Sequence, residues 1–150
     1  MNKAVTILIA LIYIASIVLI SLFGMKAIVA VENVPVTSIE CINVTDEKAR
    51  VSIDQNTGNK VIQVSYVGAY NQETQTGTMI EIKWKVSPDN AVNKNIKITY
   101  DTNKTGIIVG VDENGYANGY IYFTQRLAVD IKISSTDGTR ITETVHLLVW

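Results

Sequence analysis

The sequence predicts an all-β domain held behind a single N-terminal transmembrane helix. Three observations predict it: an uncharged apolar run over residues 4–23, period-two alternation from Glu32 onward, and glycine-containing turns set between the apolar runs. At 150 residues the chain has the length of one ordinary domain, which excludes two large ones. Its 13 Lys+Arg against 14 Asp+Glu give a formal net charge of -1, and the charged fraction of 18 % lies below the roughly 25 % usual in soluble domains. Nothing in that balance draws the chain to nucleic acid. One cysteine excludes an intrachain disulfide or a cysteine-cluster metal site, and one histidine leaves little material for a triad or a zinc centre. The expectation is a non-enzymatic protein with no catalytic residues and no cofactor.

The helix comes first in the chain. Residues 4–23 read AVTILIALIYIASIVLISLF, with Thr6, Ser16 and Ser21 as polar interruptions. At about 1.5 Å per residue the run covers roughly 30 Å, the hydrocarbon thickness of a bilayer. Its hydroxyls can bond back to carbonyls of the preceding turn. Lys3 and Lys26 flank the run and can set their ammonium groups among the headgroups, so the lipid bilayer is the partner expected for residues 4–23. A cleaved signal peptide is the competing reading. Against it, the run exceeds the usual signal core, it continues after Lys26 as AIVAV, and Ile28 is a poor partner for a cut at Ala30. Cys41 lies too far downstream to be a lipoprotein cysteine. The amino terminus and Lys3 outweigh Lys26 by one charge, and so short a head favours staying inside. The expected arrangement is single-pass, with the N-terminus cytoplasmic and the C-terminal domain extracytoplasmic. Residues 1–31 form the anchor and linker, and residues 32–150 the β domain.

Within the β domain, parity identifies the strands. Ile80, Ile82, Trp84 and Val86 share one face against Glu81, Lys83 and Lys85. Leu127, Val129, Ile131 and Ile133 repeat the pattern, as do Ile141, Val145, Leu147 and Val149. Turns fall at 54–59 (DQNTGN), 112–115 (DENG) and 136–139 (TDGT), where Gly58, Gly115 and Gly138 adopt positive φ at little cost. Strands are expected near 36–44, 49–54, 61–67, 78–86, 95–100, 106–111, 119–124, 127–134 and 140–149, with Pro35 and Pro88 outside strand interiors. Short strands at such spacing suggest a sandwich or barrel. Residues 49–68 read as a β-hairpin turned at DQNTGN. A hairpin alone is marginal in water, so it must pack on the domain or on a partner, and its outer strand offers a route to self-association or strand addition.

Several motifs point to a family. VTSIE opens the domain, WKVSPDNAVNKNIKIT brings Pro88, Asn90, Ala91, Asn93 and Lys94 together, IIVGVDENG leads through Asp112 and Asn114 to Gly115, and IKISSTDGTRITETVHLLV closes the domain. In this order, from about Val36 to Val149, they resemble the bacterial immunoglobulin-like domain, group 2, a module of cell-surface proteins that include intimin- and invasin-type adhesins. The resemblance implies an immunoglobulin-like Greek-key β-sandwich, with the hairpin near 49–68 as an insertion between the family's first and second strands. The chain departs from the family where Ile98, Thr99 and Tyr100 stand in place of a tryptophan, Trp84 lying one strand earlier.

Candidate sites are few. Tyr116, Tyr120 and Tyr122 cluster within seven residues, and the inserted hairpin, with Tyr66 and Tyr70, is the other recognition element. Tyrosine gives large contact area at low entropic cost, which makes these five the partner-binding candidates, against the plainer reading as cross-strand pairs on an exposed face. Asp101, Asp112, Glu113 and Asp137 would supply oxygens for calcium only if their loops converged at one pole, and no calcium-loop spacing appears. By parity His146 faces solvent and Cys41 the interior. Asn43-Val-Thr45 and Asn103-Lys-Thr105 fit the glycosylation sequon. The functional expectation is an anchored surface module for adhesion or structural contact, its partner a surface protein, a glycan or a second copy. The alternative is a pilin-like filament subunit assembled through the apolar helix, Lys3-Ala4 resembling a prepilin cleavage point.

Overall fold

The computed structural model describes residues 3–28, 33–44 and 47–150, and within the N-terminal helix the side chains through Ser21. Residues 29–32 of the linker, with the cut weighed at Ala30, and Thr45 of the first sequon lie outside the described residues, as does the side chain of Lys26. The chain divides into two compact units, Met1–Asn33 and Val34–Trp150.

The first unit is α1 (Lys3–Ile28). Among the described side chains, through Ser21, Leu, Ile, Val and Ala occupy every side of the helix, so that stretch has no polar face on which to lie along a membrane. It is long and apolar enough to cross one. Ser16 Oγ donates to Ile12 O at 2.8 Å, which satisfies the hydroxyl inside the helix.

The second unit holds nine strands: β1 (Ser38–Val44), β2 (Ala49–Ile53), β3 (Lys60–Val64), β4 (Thr78–Ser87), β5 (Ile96–Tyr100), β6 (Ile107–Val111), β7 (Ala117–Phe123), β8 (Leu127–Ser135) and β9 (Thr142–Val149). They form two sheets in a sandwich-like arrangement, ordered β1-β4-β7-β6 and β2-β3-β9-β8-β5. Every neighbouring pair is antiparallel except β3 with β9, which run parallel from Lys60↔Val145 to Val64↔Val149. Alternation sets the core between the sheets: Ile80, Ile82, Ile121 and Phe123 from the first meet Ile62, Val64, Ile131, Ile133, Val145 and Leu147 from the second, all fully buried. Burying each such side chain contributes roughly 1.5–3 kcal/mol.

All nine expected strands form, but the third ends at Val64 rather than 67. Tyr66 N–H still donates to Trp150 O at 2.7 Å, in line with the β9 ladder, and the chain leaves the sheet after it, where Val67 N–H turns to Thr78 Oγ1 at 3.0 Å. β2 and β3 make an antiparallel hairpin closed by Asp54 N–H to Asn59 O at 2.9 Å. Asp54 caps the turn by accepting from Asn56 N–H at 2.9 Å and Thr57 Oγ1 at 3.0 Å, and these bonds hold its carboxyl below the usual carboxylate range.

The edge of β1 is closed by side chains from the other sheet. Glu143 on β9 accepts from Cys41 N–H, and Lys60 on β3 donates to Cys41 O. Lys60 Nζ also lies 3.7 Å from Glu143 and 3.8 Å from Glu40. One rung of an edge strand, which would otherwise face a neighbouring chain, is thereby satisfied within the molecule.

Candidate functional site

The connection between β3 and β4 is folded back over the outer face of the first sheet. Thr78, only 2 % exposed, anchors it: Thr78 Oγ1 donates to Gly68 O at 2.8 Å, and its N–H bonds the same carbonyl at 3.0 Å. Tyr70 N–H reaches Phe123 O at 2.9 Å, and Asn71 pairs with Thr76 across a tight turn in which Asn71 Oδ1 accepts from Glu73 N–H at 2.8 Å. Gly77 is required here: at φ +119° a Cβ would lie 2.5 Å from Ala69 O.

That fold-back lays Tyr70 on Tyr122 of β7, with ring centroids 4.3 Å apart and planes tilted by 34°. Tyr120, two residues along the same face, stacks on Tyr122 at 6.4 Å and 17°. Burial pushes the Tyr122 phenol up, and the hydroxyls of Tyr70 and Tyr120 add to the shift. Beside the pair lies a depression of about 530 Å³ walled by Gln72, Gln75, Asn118 and residues 108–111 of β6. Gly110 packs close to Asn118 in this lining, where a Cβ would stand 2.5 Å from Asn118 Oδ1. Among the described residues lining the depression, none carries a formal charge. Besides the two phenols, the hydrogen-bonding side chains are three amides, each donor and acceptor at once, set against the aromatic pair.

The five tyrosines therefore separate into groups. Tyr70, Tyr120 and Tyr122 come together. Tyr66 turns elsewhere, donating to Thr124 O at 3.0 Å beneath the Arg126 guanidinium, which sits 5.8 Å from its ring centroid. Tyr116 stands in the β6–β7 turn, where its N–H donates to Asp112 Oδ1 at 2.9 Å. Both Tyr66 and Tyr70 fall after β3, in the connection rather than on the hairpin strands. Gln72, Gln75 and Asn118 escape sequence reasoning, since amides in turn-rich segments look like ordinary turn residues.

The four carboxylates do not all share one end of the domain. Asp101 follows β5 and Asp137 follows β8, and because these strands are antiparallel the two residues lie at opposite ends of the pair. Asp112 and Glu113 lie at the far end of β6 from Asp101. Each aspartate serves its own turn: Asp101 accepts from Asn103 N–H at 3.0 Å, Asp112 from Asn114 N–H at 2.9 Å, and Asp137 from Thr139 Oγ1 and Val36 N–H, both at 2.6 Å. Those last bonds hold Asp137 down to about 2. Among the described residues no group of three or more His, Cys, Asp or Glu side chains is placed to hold a metal ion.

His146 Nδ1 pairs with Asp130 Oδ1 at 2.7 Å on the outer face of the second sheet. Cys41 is buried at 3 % exposure, and burial, with Glu143 beside it, pushes its thiol up. No protein-family model matches the chain, and no curated protein matches its sequence.

Proposed function

We propose that this chain is a non-enzymatic surface protein whose helix holds an immunoglobulin-like module outside the membrane, and that the module adheres to neutral glycans through the Tyr70–Tyr122 depression. The strand order supports the immunoglobulin-like part. With the hairpin set aside, β1-β4-β7-β6 and β9-β8-β5 follow the A-B-E-D and G-F-C orders of an immunoglobulin constant-type sandwich. The length and apolarity of α1 support the anchor.

The observation that carries the ligand class is an aromatic pair beside three amides with no charged group in the lining. A pyranose ring presents an apolar C–H face and a rim of vicinal hydroxyls that both donate and accept. Tyr122 and Tyr70 match the first, and Gln72, Gln75 and Asn118 match the second. Phosphates, carboxylates and ammonium groups find no counter-charge there.

Full-length protein in detergent, screened against neutral oligosaccharides, should bind at least one. Tyr122→Ala and Gln75→Ala should each weaken that binding tenfold or more without lowering the melting temperature by more than about 3 °C. Indifference to every neutral saccharide would remove the ligand class. Recovery of the intact chain in a soluble fraction would remove the anchor. A mature N-terminus processed after Lys3 or Ala4 would favour the filament reading.

A further inference from the structure

The four sheet edges differ in how they meet solvent. β1 and β6 carry register shifts, at Cys41/Asn43 and at Val109/Val111, and such bulges hinder the addition of a strand. β5 is regular, but its inward residues Ile96 and Ile98 are already covered, at 1 % and 7 % exposure. β2 is regular from Ala49 to Ile53 and is not covered. Val51 and Ile53 sit on the same face as the buried Ile62 and Val64, yet they are 53 % and 64 % exposed. This strand overhangs the first sheet as an apolar ledge. Ile42 at the β1 bulge, 56 % exposed, lines a depression of about 210 Å³ with Val51.

Hydrogen-bond phase shows what the ledge can accept. Asp54 N–H bonds Asn59 O, and Ser65 N–H bonds Lys48 O, so the even-numbered residues of this strand bond inward to β3. Ala49, Val51 and Ile53 consequently turn their N–H and C=O groups to the free edge. We propose that β2 pairs antiparallel with β2 of a second copy of this chain, about a two-fold axis midway between the two Val51 residues, joining the two five-stranded sheets edge to edge.

Self-complementarity selects that register. Centred on Val51, the pairs Ala49↔Ile53, Val51↔Val51 and Ile53↔Ala49 are all of the bonded type, with two N–H···O bonds at each of three pairs. Arg50 then faces Ser52, and Lys48 faces Asp54 of the other copy. A shift that centres on Arg50 sets two guanidinium groups opposite each other, and one that centres on Ser52 loses a bonded pair. An axis perpendicular to the sheet keeps Val51 and Ile53 of both copies on one face, so the two ledges cover each other as well as pair. This inference stands apart from the glycan reading, because the ledge and the tyrosine depression lie on different sheets.

The test uses the full-length chain in detergent with Cys41 retained, since its buried thiol makes the parent a non-crosslinking control. Arg50→Cys, Val51→Cys and Ser52→Cys are oxidised separately. In the proposed pairing the Val51 Cα atoms lie about 5.5 Å apart, within disulfide reach, while the two copies of residue 50 or of residue 52 lie about 8 Å apart. Val51→Cys should form a disulfide dimer at least fivefold faster than either neighbour. Val51→Lys should halve the protein mass measured by light scattering while leaving the unfolding transition in place. A fastest crosslink at 50 or 52, no crosslink at 51, or an unchanged mass in Val51→Lys would each overturn the proposal.

Discussion

Replacing Glu143 with alanine removes the side chain that ties the β1 edge to the second sheet. Cys41 N–H loses its acceptor in a setting where Cys41 itself is 3 % exposed. A buried donor left without a partner costs about 1–3 kcal/mol. Lys60 loses a carboxylate 3.7 Å away, but it keeps Glu40 at 3.8 Å, and its side chain is 23 % exposed, so that loss adds at most about 1 kcal/mol. The expected destabilisation of residues 34–150 is therefore about 2–3 kcal/mol by urea unfolding. For a unit of this size that is roughly 10 °C in melting temperature. Glu143→Gln keeps an oxygen acceptor and should lose about half as much. Combined with Lys60→Met, Glu143→Ala should show a coupling energy near 1 kcal/mol, because both side chains act on the same residue's backbone. A Glu143→Ala variant within 0.5 kcal/mol of the parent, or strictly additive changes, would refute the account of how this edge is held.

Phe123, fully buried at the centre of the core, should cost about 3–5 kcal/mol when replaced by alanine, read from the same urea transition. Cys41 should resist alkylation at pH 8 in the native protein and react within minutes once urea unfolds it; equal rates in both states would contradict its burial. Asp137 has a folded-state carboxyl depressed to about 2, so the stability it contributes is present in full above its unfolded pKa near 3.9 and is lost as pH falls toward about 2. The stability gap between the parent and Asp137→Asn should accordingly narrow across pH 4 to 2, and a constant gap would show that the carboxylate's hydrogen bonds play no part.

The strands were legible in the sequence because each half-buried strand writes its own parity, as Ile80, Ile82, Trp84 and Val86 do in β4. Their neighbours were not. Parity tells which face a residue takes and not which strand lies beside it, so the parallel contact of β3 with β9, across a separation of more than 80 residues, leaves no local mark. Lys60 looked like an ordinary polar residue at a strand start, and only the opposed sheet shows it reaching Cys41 O. The stacking of Tyr70 on Tyr122 depends on a connection folding back over β7, which depends in turn on Thr78 being buried in a strand otherwise read by its isoleucines. His146 was placed on the outer face by parity, while its partner Asp130 follows from the β8–β9 register.

The middle of the second sheet is made by β9, the last of the nine strands in chain order, with β3 on one side and β8 on the other. Until that strand arrives, the β2–β3 hairpin has no strand of the second sheet to pair with and β8 lacks half its ladder. The sheet therefore cannot close progressively as the chain emerges; it waits on its final piece.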